Sequence, residues 1–160
     1  MKRISLFLMA VIGIVSVAIA QPLPKKSVAV YVTGNNLTTV QRQIVNSAAV
    51  TAISRSKYFD VYERNEDFLN EVSNEHDFQL SGEVPLSEIR KIGNLYGVSY
   101  VVVILVTQDI DRTYVSGRLL DVETGGVVKS VNLDRKTRTN KELQNLTNNV
   151  VYRLVSKSYN

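Results

Sequence analysis

Residue types that could do chemistry are few and scattered in this sequence. His76 is the only histidine and lies in the polar stretch Asn74–Asp77. A zinc site needs three or four ligands, and a Ser-His-Asp triad needs a ring that its surroundings hold in place, so we interpret His76 as a solvated loop residue. The chain has no cysteine, which excludes a thiolate metal site, a cysteine nucleophile and a disulfide framework.

The carboxylates form no catalytic pair that the sequence can identify. Asp109 and Asp111 flank one residue in a predicted turn, without the glycine and distal glutamate of a calcium loop, and turn formation accounts for them. Glu63, Glu66 and Asp67 fall at the start of a predicted helix, where they complement the positive end of the helix dipole. A glycosidase needs two acids from separate elements about 5 to 10 Å apart. We therefore predict no catalytic residue, no metal ligand and no cofactor.

One cluster of positive charge precedes the last predicted helix. It consists of Arg135, Lys136, Arg138 and Lys141. Two interpretations stay open, a solvated loop and an electrostatic patch for an acidic partner. The formal net charge is +4 and is too small and dispersed for a nucleic-acid binder, so we predict no nucleic-acid partner.

The first twenty residues have the pattern of an export signal. Lys2 and Arg3 precede the apolar run Ile4–Ala20, which closes on the small-x-small sequence Ala-Ile-Ala. A membrane span needs roughly 20 apolar residues, whereas this run is shorter and leads into a proline-containing polar stretch. The protein is thus expected to be periplasmic or secreted, without a membrane span after cleavage and without the cysteine of a lipoprotein. The predicted organisation is a signal peptide over 1–20, a flexible lead-in over 21–26 and one domain over 27–160.

Hydrophobic periodicity predicts an α/β (α+β) sandwich in which helices pack on a mixed five-stranded sheet, in the order β-α-β-α-α-β-β-β-α. Early strand–helix alternation favours parallel pairing, and short late turns force antiparallel hairpins. The strand 100–106 is apolar on both alternations, so it should be central. The predicted strands are 27–32, 59–62, 100–106, 113–122 and 127–133. The predicted helices begin at Thr38 or Thr39, at Asn65, at Leu86 or Ser87, and at the capping box 139–142, with a turn at 34–36, a loop over 73–85 and a tight hairpin turn at 124–126.

Three segments, in the same order and spacing, resemble the envelope-protein superfamily that includes CsgG, LpoB and the TolB amino-terminal domain. They are Phe59–Arg64, with its Glu-Arg ending; Ile92–Val102, a helix, glycine turn and central strand; and Gly117–Val127, an Arg-Leu-x-Asp-Val-x-Thr-Gly hairpin. The resemblance implies a mixed sandwich used for protein–protein contact in the bacterial envelope, with no enzymatic activity. The connection 107–112 is too short for membrane-spanning strands of about 9 to 11 residues, so a pore is not expected from this chain alone.

Four residues of these motifs are predicted to be scaffold positions. Gly97 and Gly125 supply backbone conformations that a Cβ disfavours. Arg64 and Asp121 each end a strand, where a charged group can bind loop amides or a neighbouring charge.

Three functions remain open from the sequence. The first is an exported module that binds another envelope protein or itself, through a helix face or through an open sheet edge at 59–62 or 127–133. The second is an exported hydrolase of glycan or peptide that uses acids such as Glu63 or Asp111. The third is a small-ligand carrier, which predicts an apolar cavity of several hundred Å³.

Overall fold

The computed structural model describes residues 24–62 and 86–156. Its strands are β1 (Lys26–Asn35), β2 (Phe59–Val61), β3 (Tyr100–Gln108), β4 (Thr113–Asp121) and β5 (Val127–Arg135). Its helices are α1 (Thr39–Ser54), α2 (Leu86–Tyr96) and α3 (Asn140–Val155). The predicted helix at Asn65 and the predicted loop over 73–85 lie outside the described residues.

The five strands form one mixed sheet in the order β2-β1-β3-β4-β5. β1 is parallel to both β2 and β3, whereas β3–β4 and β4–β5 are antiparallel. The predicted fold class is confirmed, and so is the central position of β3. Within the described sheet, β2 and β5 are the outer strands, and they correspond to the two predicted edges at 59–62 and 127–133.

Helices cover both faces of the sheet, and the sequence of β3 shows why. Val102 and Ile104 point into the larger core, which is formed with α1 and α3, whereas Val101 and Val103 point into a smaller core against Ile89 of α2. All four are almost completely buried. A strand that is apolar on both alternations must be covered on both faces, and this requirement produces the three-layer arrangement.

β1 is longer than its apolar run predicts. It begins at Lys26 and continues through Gly34 and Asn35, so the predicted turn at 34–36 is wrong in its first two residues. The reason is long-range pairing, because Gly34 lies opposite Val106 in the parallel β1–β3 ladder. A Cβ at Gly34 would overlap the carbonyl oxygen of Val106, so this glycine permits a close approach between strands.

The β4–β5 connection is also longer than predicted, because it takes five residues, 122–126, instead of a tight turn at 124–126. The register then shifts between Leu119 and Leu120, which pair with Lys129 and Val127. Val128 is therefore left as the extra residue of a β-bulge near the start of β5.

Both long helices begin with a complete capping box. Thr38 and Gln41 cap α1, and Thr139 and Glu142 cap α3 as predicted, with each threonine hydroxyl accepting the main-chain N–H three residues on. The main-chain N–H of Arg138, with that of Thr139, donates to the Glu142 carboxylate and holds its pKa below the ordinary value.

Replacing the α3 cap should destabilise the protein measurably. We expect Thr139→Ala to lower the free energy of unfolding by about 1 kcal/mol, because the N–H of Glu142 loses its acceptor. Urea unfolding followed by circular dichroism measures the change. Thr51→Ala, at an exposed position inside α1, is the matched control and should be neutral or slightly stabilising. Equal stability of the two variants would contradict the capping role.

Candidate functional site

The predicted basic cluster lies at the end of β5 and the start of α3, where all four side chains are exposed. Acidic groups lie among them. Lys136 Nζ is 2.7 Å from Asp111 Oδ2, and the main-chain nitrogen of Arg138 is 2.7 Å from Glu142 Oε2. Arg135 and Lys141 complete the cluster. The surface is therefore mixed in charge, and its use for an acidic partner stays a prediction.

Asp121 organises the β4–β5 loop. Its Oδ1 accepts the main-chain N–H of Thr124 at 2.8 Å and the Thr124 hydroxyl at 3.0 Å. The Thr124 hydroxyl in turn accepts the N–H of Gly126 at 3.1 Å, and Gly125 has a positive φ of 71°. Gly97 ends α2 with a φ of 62°. These three predicted scaffold positions therefore shape turns, whereas Arg64 lies outside the described residues.

The Asp121 contacts give a pH dependence with a definite sign. The N–H of Thr124 favours the carboxylate and lowers the pKa of Asp121 below its ordinary value. The stabilisation is therefore present above the unfolded pKa and is lost as the pH falls through the folded one.

We expect the melting temperature of Asp121→Asn to lie below that of the wild type at about pH 6, and the gap to close toward about pH 2. Thermal unfolding across this range measures it. Thr124→Val keeps the main-chain donor, which is the main cause of the shift, and should keep the Asp121 pKa lowered in an NMR titration. A difference in melting temperature that grows as the pH falls would contradict a lowered pKa of Asp121 in the folded protein.

The two outer strands differ in how they expose their edges. β2 has only three residues and lies between the partly exposed Tyr58 and Tyr62. β5 has nine residues, with Ser130 and Asn132 exposed on the face away from α3. Lys129 Nζ donates to the Arg153 carbonyl at 2.6 Å and holds the strand against the end of α3. β5 is therefore the longer edge for a partner strand.

A cleft of about 570 Å³ opens where β1 and β3 begin and β4 ends. Lys26 of β1 and Arg90 of α2 bring positive charge to it, and Asp121 and Glu123 bring an equal number of negative charges. Its apolar wall consists of Val98, Tyr100 and Val122. We call this feature the charged cleft. No sequence pattern predicts this cleft, because Lys26 and Arg90 are distant in the chain and only the packing of α2 against β3 brings them together.

Lys26 is fixed by Tyr100 in the charged cleft. Its Nζ donates to the Tyr100 hydroxyl at 2.9 Å and lies 4.9 Å from the centre of the ring. Arg90 Nη2 lies 3.5 Å from the main-chain carbonyl oxygen of Glu123, at the limit of a hydrogen bond. Both acceptors are neutral, and among the described residues neither cation lies within 4.0 Å of a carboxylate oxygen. The charge of Lys26 nevertheless contributes to lowering the pKa of Asp121.

The catalytic and carrier hypotheses receive no support from the geometry. Glu63 and His76 lie outside the described residues, and Asp111 is paired with Lys136 on an exposed turn. In the described part of the chain, no group of three histidine, aspartate or glutamate residues is placed to hold a metal ion. The charged cleft has the size predicted for a small-ligand carrier, but it is open and four charged residues line it, whereas the prediction was an apolar cavity.

None of the helices in the ranges 24–62 and 86–156 combines the length and the apolar character that crossing a membrane requires.

Comparison with known proteins gives one family. The family described as curli production assembly/transport component CsgG matches residues 15–117, which is more than half of the chain. No curated protein sequence matches.

Several solved structures have a similar fold. PelC from Paraburkholderia phytofirmans, a dodecamer, superposes with a TM-score of 0.57 at 16% identity, over 84% of this chain and 89% of PelC. The LpoB C-terminal domain from Escherichia coli gives 0.52 at 12% identity, over 70% and 83%. Lipoprotein GNA1162 from Neisseria meningitidis gives 0.51 at 15% identity, over 84% and 99%. At such low identity these likenesses establish a common fold and nothing further.

Proposed function

The chain belongs to the CsgG family, and on this premise we propose that it is an exported, non-enzymatic protein–protein interaction module of the bacterial cell envelope. The partner is another envelope protein or a second copy of the chain. Family membership supports the envelope setting, and the three segments that resemble CsgG, LpoB and TolB led to the same family. The observation that carries the proposal is that β5 is an outer strand with no neighbouring strand beyond it among the described residues.

An exposed edge strand presents unpaired main-chain donors and acceptors, and native proteins usually protect such a strand. β2 is protected by its length of three residues. β5 is protected at its start by the bulge at Val128, and near its end by the charges of Asp134 and Arg135. The stretch Ser130–Leu133 between them has no proline and no charged side chain. This stretch is therefore suited to accept a partner strand by β-augmentation.

The test places lysines on the open edge. We expect Ser130→Lys/Asn132→Lys to recover at least about tenfold less partner than the wild type in affinity purification from envelope extracts, because edge lysines oppose strand addition. Both residues are exposed, so the melting temperature should change little. Quantitative mass spectrometry of cross-linked, tagged protein measures the recovery.

The matched control is Ser47→Lys/Thr51→Lys, which adds the same charge at exposed positions of α1. It should recover as much partner as the wild type. The proposal would be contradicted if the edge variant recovered as much partner as the wild type. It would also be contradicted if the wild type had no reproducible partner and did not self-associate.

Export is the other part of the proposal, and the sequence supports it through the pattern of residues 1–20. In a bacterial host we expect the mature protein to begin at Gln21 and to appear in the periplasmic or secreted fraction. Intact-mass measurement after fractionation gives the new N-terminus. Full-length protein in the cytoplasm would contradict export.

A further inference from the structure

The described helices all finish at the same end of the sheet. β1, β2, β3 and β5 begin at this end, and α1 and α2 return the chain to it before β2 and β3. α3 runs back to it from the end of β5, and the Ser56 hydroxyl after α1 donates to the carbonyl of Val155 in the last turn of α3 at 3.4 Å. Segments that are distant in the chain therefore meet at this end.

Four cationic side chains lie at this end on the α1 and α3 side. Arg55 caps α1 and Lys57 follows it, and Arg153 is in the last turn of α3. Lys129 Nζ donates to the Arg153 carbonyl at 2.6 Å, which joins the start of β5 to α3. Among the described residues, none of the four lies within 4.0 Å of a carboxylate oxygen. Each helix dipole places only about half a negative charge at its end, so a net positive charge remains.

The carboxylates that the described structure places at this end are matched by other cations. Asp60 is paired with Lys25 at 3.0 Å. Asp121 and Glu123 line the charged cleft, where two cations equal them in number. The four cations at the ends of α1 and α3 and at the start of β5 are therefore the surplus charge of this end.

Two tyrosine and two valine side chains are exposed beside these four cations. They are Tyr58, Tyr152, Val127 and Val128, each within two positions of one of the cations in the chain. Each of them is at least 37% exposed. We call the four cations and these four residues the cationic end face. Tyrosine rings settle at the headgroup level of a bilayer, and lysine and arginine are attracted to anionic headgroups, so this combination is typical of a membrane-binding surface.

We propose that the cationic end face binds the surface of an anionic lipid bilayer. The four cations contact lipid phosphates, and the tyrosine and valine side chains enter the headgroup layer. Charge alone would suit an acidic protein equally well, and the exposed apolar groups among the cations favour the bilayer. This inference goes beyond the proposed function, because it needs no protein partner.

Bilayer binding is compatible with a partner strand at β5. The cationic end face takes only the first residues of β5, Val127–Lys129, whereas the stretch Ser130–Leu133 lies farther along the strand. The domain can therefore bind a bilayer at one end and a partner at its side. Four cations give reversible binding that salt weakens, because charges are screened over about 10 Å at 0.1 M ionic strength.

Co-sedimentation with lipid vesicles tests the proposal. The protein is the chain from Gln21 onward, which contains every described residue, because the apolar run 4–20 would itself bind lipid. We expect binding to phosphatidylcholine vesicles that contain about 30% phosphatidylglycerol and none to pure phosphatidylcholine. Raising the salt from about 0.05 to about 0.5 M should release the bound protein.

Charge reversal locates the binding surface. Arg55→Glu/Lys57→Glu should weaken binding to the anionic vesicles at least about tenfold, because two attractive charges become repulsive. Arg135→Glu/Lys141→Glu makes the same change of charge at exposed positions of the basic cluster, at the other end of the molecule, and should retain most of the binding. Circular dichroism checks that both variants are folded.

A fluorescent label reports which end approaches the lipid. The chain has no cysteine, so one introduced cysteine carries one label. A polarity-sensitive label at Ser54→Cys, at the end of α1, should shift its emission to the blue on anionic vesicles. The same label at Asn140→Cys, at the start of α3, should shift less. Both positions are exposed.

Three results would overturn the proposal: no binding to anionic vesicles, an equal loss of binding in the two charge-reversal variants, or a label shift at position 140 as large as that at 54. Capture of an acidic protein through this face, without vesicle binding, would assign the face to a protein partner instead. The vesicle assay contains no other protein, so its failure leaves capture through β5 untouched, and loss of capture through β5 leaves vesicle binding untouched.

Discussion

Leu119→Ala is expected to lower the free energy of unfolding by about 3 kcal/mol, which is among the largest effects available at a single side chain here. Leu119 lies in β4, directly opposite Val102 of β3, and it is completely buried in the larger core between the sheet and α1 and α3. Removing its methyl groups loses their transfer free energy and leaves a cavity that two helices and a sheet can close only in part.

Urea unfolding followed by circular dichroism measures this loss. Ile110→Ala is the matched control, because it removes a similar apolar volume from a fully exposed side chain and should change the free energy by less than about 0.5 kcal/mol. A loss below about 1 kcal/mol for Leu119→Ala would mean that the site collapses freely, contrary to the close packing of this core.

Gly34→Ala is expected to destabilise the protein by about 3 kcal/mol, although it adds a single methyl group. The new Cβ would overlap the carbonyl oxygen of Val106, and the contact is with backbone, so no side chain can rotate away. Gly34 and Val106 are also register partners in the β1–β3 ladder, so separating them disturbs parallel pairing at the centre of the sheet.

Gly126→Ala is the control for this change. Its Cβ would meet the Thr124 hydroxyl at 3.3 Å, a contact that a small side-chain movement relieves. We expect less than half of the loss seen for Gly34→Ala in the same unfolding experiment. If Gly34→Ala left the free energy of unfolding nearly unchanged, β1 and β3 could separate at this end without cost. The predicted turn at 34–36 would then describe these residues better than the β1–β3 pairing.

Much of the secondary structure could be predicted from local sequence patterns. The capping box at Thr139 set the start of α3, because the hydrogen bonds of a cap join residues three positions apart. The doubly apolar run after Tyr100 set β3 as the central strand, since its pattern requires cover on both faces. The chain order of elements, and the pairing of consecutive strands after residue 100, followed from short connections.

Signals that depend on distant partners were missed or misread. The sequence predicts a turn at Gly34 because glycine favours turns locally, whereas in the fold Gly34 permits a close approach to Val106, which is distant in the chain. The charged cleft had no sequence signal, because Lys26 and Arg90 belong to elements that meet only in the folded chain.

Caps, periodicity and motif order predicted the fold class, the starts of the three described helices, the two outer strands and the family, because these signals lie in neighbouring residues. Which surfaces are exposed depends on how distant segments pack together. The order of the strands places β5 at an edge of the described sheet. The packing of α2 forms the charged cleft at one end of β3, and Ile110 is exposed at the other end. Surfaces of this kind form where distant segments meet, and no local pattern encodes that meeting.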